Sequence, residues 1–247
     1  MSELPYKQII SLVPSLTELL IDLGLKDQLI GRTRFCIHHK DEVEDIDIVG
    51  GTKNPNLEKI IELKPDFILA NKEENRKEDI EMLQAYASVH VTDIESIEDA
   101  LLEISSLGML LGVEFTAQKL VSKATALLSE IPSERSLSVA YLIWKDPWMT
   151  IGKDTYIHHV LKRYHLENVF GIQTRYPKTT LKEMASKNPD LILLSSEPYP
   201  FKEKHIQEIK EACPVSKVEL VNGEWFSWYG SRMIKAFEAL NTWRGKL

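Results

Sequence analysis

Asn56–Glu73, NLEKIIELKPDFILANKE, and Thr180–Glu197, TLKEMASKNPDLILLSSE, align without a gap at a constant offset of 124 residues. Leu57 and Leu181, Pro65 and Pro189, Asp66 and Asp190, Ile68 and Ile192, and Glu73 and Glu197 are identical pairs. Both copies carry the same local instructions. A polar residue, Asn56 or Thr180, stands where it can cap a helix. Pro-Asp then ends that helix, because the residue before proline is pushed out of the helical region. The apolar run that follows does not alternate, which suits a parallel strand covered on both faces. Helix, Pro-Asp turn and buried strand, used twice, predict an α/β chain of two homologous lobes.

Along the chain, short β-branched or apolar runs bounded by turn residues predict strands at Gln8–Val13, Phe67–Ala70, Ser88–Thr92, Ser138–Trp144, Leu191–Ser195 and Lys217–Val221. Ser15 followed by Glu18 reads as a capping box for a helix ending near Gly24, with Leu16, Leu19, Leu20 and Leu23 on its apolar face. Between the copies, Glu114–Glu130 has helical spacing and no Gly or Pro inside, and Pro132 follows it. At about 1.5 Å per residue this is a stiff rod of roughly 25 Å. The expected division is therefore residues 1–112 as the first lobe, 113–132 as a connecting helix and 133–247 as the second lobe. Ligands of open parallel α/β sheets bind at loops following the carboxyl ends of the strands, so a cleft between the lobes is the expected site.

Composition narrows the function. Thirty basic residues against 37 acidic ones give a net charge of −7, which argues against nucleic acid or an anionic membrane as partner and suits a basic protein surface. No stretch reaches the ~20 consecutive apolar residues of a membrane span, and Met1–Gln8 lacks the basic and apolar regions of a secretory leader. Read as a complete chain, it is expected to stay in the cytoplasm. The two cysteines, Cys36 and Cys213, are far apart without paired spacing and read as free buried thiols.

The expected post-strand loops are rich in chemistry. In the first half they offer Ser15, Arg34, Cys36, Thr52, Lys53 and Asn71; in the second, Trp144, Trp148, Arg175, Ser196, Tyr199, Trp225, Phe226, Trp228 and Tyr229. All five tryptophans fall in the second half, and four of them lie in two such loops. Any one of these aromatics can pack its own lobe's core. Together they suit a wall for a flat, largely apolar ligand with polar edges.

Ile9–Gly24 (IISLVPSLTELLIDLG), Val49–Asp66 (VGGTKNPNLEKIIELKPD) and Leu191–Glu203 (LILLSSEPYPFKE) resemble the periplasmic-binding-protein family that serves cobalamin and iron-siderophore importers. The resemblance spans nearly the whole chain. It implies two Rossmann-like lobes with parallel sheets, a single connecting helix, a periplasmic or cell-surface location and no catalytic residue. It also implies a transported metal chelate, cobalamin favoured over ferric siderophore or haem, with no covalent cofactor. The implied partner is an ABC permease-ATPase complex, met by a monomer through an acidic residue on each lobe: Glu74 or Glu78, with Glu73 nearby, and Glu203.

Two rivals remain at this level. One is a cytoplasmic α/β enzyme or ligand sensor using the same cleft, with Cys36 as nucleophile. The other is a free-metal receptor, which needs three or four His or carboxylate ligands to converge. Cys36, His38 and His39 read as incidental polar residues of a loop, since adjacent side chains point in different directions, and no protein-held metal is expected. Gly50-Gly51-Thr52-Lys53 lacks the spacing of a phosphate loop.

Overall fold

The computed structural model describes residues 4–132 and 135–247. The expected start of the second lobe, residue 133, lies outside them, as do the first three residues. The described residues form two compact units: 4–94 with Glu98–Ala126 and Tyr229–Ile234, and Glu95–Ile97 with 127–132, 135–228 and Lys235–Leu247.

The first unit is built on β1 (Ile9–Ser11), β2 (Leu29–Arg32), β3 (Asp47–Ile48), β4 (Phe67–Asn71) and β5 (Ser88–Thr92), an all-parallel sheet in the order β3-β2-β1-β4-β5. Its helices include α1 (Pro14–Asp22), α2 (Lys40–Val43), α3 (Leu57–Glu62) and α4 (Lys77–Leu83), with α5 (Ile97–Leu110) and α6 (Glu114–Ser129) following. Ile10, Leu12, Val49, Ile60, Ile68 and Ala70 meet in the core. Strands buried on both faces need such apolar runs.

The second unit contains β6 (Leu137–Trp144), β7 (Met149–Thr150), α7 (Tyr156–Arg163), β8 (Leu166–Asn168), α8 (Leu181–Lys187), β9 (Leu191–Ser195), α9 (Glu203–Ala212), β10 (Lys217–Val221), α10 (Glu224–Ser227) and α11 (Arg232–Arg244). The sheet runs β10-β9-β6-β7, with β8 also pairing to the start of β6; only β7 is antiparallel. Ala140, Leu142, Phe170, Ile192, Leu194 and Ile209 form its core.

Pro65 and Pro189 occupy the same turn in the two units. Each follows a residue in the left-handed region, Lys64 (φ 49°) or Asn188 (φ 45°), and each opens the strand that pairs with the unit's first one. Asn56 and Thr180 cap α3 and α8 by accepting from the amides of Lys59 and Glu183, both at 3.1 Å. The aspartates do more than turn the chain. Asp66 accepts from the amides of Lys7 and Gln8, at 2.8 and 3.0 Å, just ahead of β1. Asp190 accepts from the amide and hydroxyl of Ser138 in β6, both at 2.8 Å, and these bonds hold its carboxyl below the usual range. Each Pro-Asp therefore fixes a neighbouring strand as well as ending a helix.

The start of α1 corrects the capping-box reading. Val13, extended at φ −137° and ψ 128°, is the N-cap, and Pro14 takes the first helical position. Proline is preorganised there and its missing N–H removes no bond. Ser15 lies inside the helix, 5% exposed, and Glu18 pairs with Arg232 instead of reaching back. Helix α6 ends within one residue of expectation. Its last carbonyls are satisfied by side chains, Asn241 donating to Leu127 at 2.9 Å and Arg163 to Leu128 at 3.0 Å. Among the described residues, no helix is long and apolar enough to cross a membrane.

Candidate functional site

Because β6, β9 and β10 are parallel, their carboxyl ends share one edge of the second sheet. The loops leaving that edge carry Trp144–Trp148, Ser196–Phe201 and Asn222–Trp228. Trp144 ends β6 with 40% of its surface exposed and meets Tyr199 edge-on, ring centres 5.5 Å apart. Tyr199 touches Phe201 at 4.7 Å, and Phe201 stacks on Trp148 at 6.0 Å with a 4° interplanar angle. Beneath them lies His205, 5.5 Å from Tyr199 and 5.4 Å from Phe201. Burial, then the Lys145 and Lys204 charges, holds its imidazole below its ordinary value, and Nδ1 accepts from the Lys202 amide at 2.9 Å. His205 is thus a neutral prop for the rings. Lys145 lies over Trp148, 5.2 Å from its centre, while paired with Glu208.

Beside this cluster, the loops after β9 and β10 are laced together. Glu197 Oε1 accepts from Trp228 Nε1 at 2.8 Å and from the Ser227 hydroxyl at 2.9 Å. Ser196 donates its amide to the Val221 carbonyl at 3.0 Å, and its hydroxyl accepts from the Gly223 amide at 2.9 Å. Gly223 has to be glycine, since a Cβ there would meet Ser195 Oγ at 2.4 Å and Glu197 Cγ at 2.6 Å. Trp228 is consequently held by a carboxylate in a fixed orientation. Trp225 is half-buried.

Two of the expected wall residues are core residues instead. Phe226 has no exposed surface and packs 5.2 Å from Tyr141 and 6.0 Å from Trp243. Tyr229 is only 8% exposed. Arg175 is exposed, left-handed at φ 57°, with its guanidinium 5.7 Å from the Tyr176 ring.

In the first unit, Asn71 joins β4 to β5 and shapes the next loop. Its Nδ2 donates to Thr92 Oγ1 at 2.9 Å, and its Oδ1 accepts from the amides of Glu73 and Glu74 at 2.9 and 3.1 Å. Its side chain works within the fold. The Thr52 carbonyl accepts from Asn75 Nδ2 at 3.0 Å, and Lys53 Nζ meets the Glu73 carbonyl. Arg34 is exposed after β2. Cys36 is 5% exposed, its Sγ against the hydroxyls of Thr17 at 3.1 Å and Thr33 at 3.4 Å. Those neighbours are not bases, and the nucleophile role proposed for Cys36 gains nothing from them. Cys213 is also a free buried thiol.

Three features of the structure lie outside the sequence-based expectations. His205 and Lys145 support the aromatic cluster; the spacing of Phe201 and His205, four apart at a helix start, was the available signal. Glu18, Asp22 and His39 come together in the first unit, their ligand atoms all within 4.8 Å of one another. A further groove of about 580 Å³ in the second unit is lined by Ser136, His158, Lys162, His165 and Glu167.

Comparison with known proteins agrees with this architecture. The chain is 31% identical over 200 residues to the uncharacterized ABC transporter substrate-binding lipoprotein YvrC of Bacillus subtilis (strain 168), a match covering 76% of this chain and 63% of that protein. It is 25% identical over 245 residues to a vitamin B12-binding protein of Pectobacterium carotovorum subsp. carotovorum (strain PC1), covering 95% and 87%. The crystal structure of the periplasmic vitamin B12 binding protein BtuF of Vibrio cholerae is similar in fold, with a TM-score of 0.84, 22% identity and 98% of each chain covered. The family model described as periplasmic binding protein matches residues 9–219. With that match running from β1 into β10, across both sheets, the chain belongs to the periplasmic binding protein family.

Proposed function

We propose that this chain is the substrate-binding protein of an ABC-type importer whose cargo is a metal chelate, with cobalamin favoured over a ferric siderophore or haem. The observation that carries the reading is the set of aromatics at the carboxyl edge of the second sheet, Trp144, Trp148, Tyr199, Trp225 and Trp228. A corrinoid presents broad apolar faces edged with amides, which suits rings flanked by a few placed polar groups. The relatives named for vitamin B12 binding and for ABC substrate binding support it. Capture and release need no covalent chemistry. On this reading the protein works as a monomer in the periplasm or at the cell surface, with residues 1–112 and 133–247 as lobes and 113–132 as the strut.

The test is a titration of intrinsic fluorescence with cobalamin, then with ferric siderophores and haem. Cobalamin is expected to quench strongly and saturably, because it absorbs where tryptophan emits. A folded protein whose fluorescence stays flat across the whole panel would sink the chelate reading.

Permease docking is proposed for Glu78 and Glu203. Both are exposed in the first turns of α4 and α9, the helices that follow β4 and β9 at matching places in the two units, and acidic groups are favoured at helix starts. Glu74 is half-buried and suits the role less. Glu78→Lys combined with Glu203→Lys is expected to reduce uptake into permease-bearing cells at least tenfold while ligand affinity is unchanged. Loss of affinity would instead assign these residues to the binding site.

A further inference from the structure

We propose that Glu18, Asp22 and His39, all within the first unit, form a site for a divalent cation of the zinc class. Glu18 and Asp22 lie one helical turn apart on the same face of α1. His39 sits in the left-handed region at φ 52° as the N-cap of α2, without a side-chain capping bond. Its Nε2 lies 3.2 Å from Asp22 Oδ1 and 3.8 Å from Glu18 Oε1.

The other ring nitrogen sets the chemistry. His39 Nδ1 is 2.9 Å from Glu42 Oε1, so we assign the ring proton to Nδ1, donated to that carboxylate. This is the carboxylate–imidazole arrangement that stands behind metal-ligating histidines. It leaves Nε2 with a lone pair facing two carboxylates. Nε2 is buried and makes no hydrogen bond among the described residues. A cation between these acceptors turns a repulsive arrangement into an attractive one.

Distances and charge agree. Ligand atoms about 2.0 to 2.1 Å from a tetrahedral zinc sit roughly 3.3 Å apart. His39 Nε2 and Asp22 Oδ1, 3.2 Å apart, already have that spacing; Glu18 Oε1 stands 3.8 Å from Nε2, and all three ligand atoms lie within 4.8 Å of one another. Arg232 grips Glu18 through Nε at 2.8 Å and Nη2 at 2.7 Å, yet each carboxylate oxygen keeps a second lone pair, so Arg232 orients the ligand without blocking it. Three carboxylates, Glu18, Asp22 and Glu42, surround His39, and Arg232 on Glu18 offsets one of them, so a dication brings the group to neutrality. One imidazole with two carboxylates suits zinc better than calcium or magnesium.

The experiment is calorimetric titration of the whole chain with zinc chloride, alongside ¹⁵N spectra of the histidine rings. The wild type is expected to take up one equivalent, with the His39 Nε2 resonance moving on saturation. Asp22→Asn, and His39→Asn, which tolerates the left-handed backbone, are expected to weaken binding more than tenfold. The exposed Glu42→Gln should weaken it about 10- to 100-fold. Absent zinc uptake, an unmoved His39 resonance at saturation, or unchanged affinity in His39→Asn would each overturn the proposal.

Discussion

Replacing Trp144 with alanine is expected to weaken cobalamin binding by about 1 to 4 kcal/mol, roughly 5- to 900-fold, while leaving the fold intact. Trp144 combines exposure with support: 40% of its surface is open, and Tyr199 braces its ring edge-on. Aromatic anchors at the centre of an interface, held in place before the ligand arrives, carry a large share of binding free energy. Stability depends much less on this residue, because its exposed part contributes little burial. Fluorescence titration and thermal melting of the same variant separate the two effects. Unchanged affinity with an unchanged melt would show that the ligand does not use this ring.

The largest expected loss of stability comes from Arg232→Met. The Glu18 side chain is 2% exposed and Arg232 13%, and two hydrogen bonds join them in a fork. Removing the cation leaves a buried carboxylate without its bidentate counter-charge, a change that typically costs about 3 to 5 kcal/mol. A lysine cannot restore the fork, so Arg232→Lys should recover only part of the loss. Pairing Arg232→Met with Glu18→Gln should cost less than Arg232→Met alone, since the stranded charge is gone. Urea unfolding of the four proteins measures this. A loss below about 1 kcal/mol in Arg232→Met would mean that water screens the pair like a surface bridge.

The repeated Pro-Asp unit was legible because both of its jobs are local. Proline excludes the helical conformation from the residue before it, and an unbroken apolar run needs cover on both faces. Strands Ser88–Thr92, Leu191–Ser195 and Lys217–Val221 accordingly have the bounds that their turn-flanked runs predict. Strands β2, β3, β7 and β8, two to four residues long, hold too few residues for a period to register. The aromatic-rich loops were also visible, but not which rings face outward. Trp225 and Phe226 are neighbours on the short helix α10, where each residue turns about 100° from the last, so one is half-exposed while the other enters the core.

The α/β class, the two copies of the helix, Pro-Asp and strand unit, and the edge of the second sheet where aromatics gather were all written in the local sequence. These follow from backbone preferences and hydrophobic periodicity within a few turns of chain. Tertiary structure alone decided that Glu18 pairs with Arg232 near the other end of the chain, that Glu197 grips Trp228, and that His39 meets Asp22. The physical reason is that charged and hydrogen-bonding partners are selected by distance in space. An N···O contact near 3 Å between residues far apart in sequence leaves no period, cap or spacing for a reader of the chain to find.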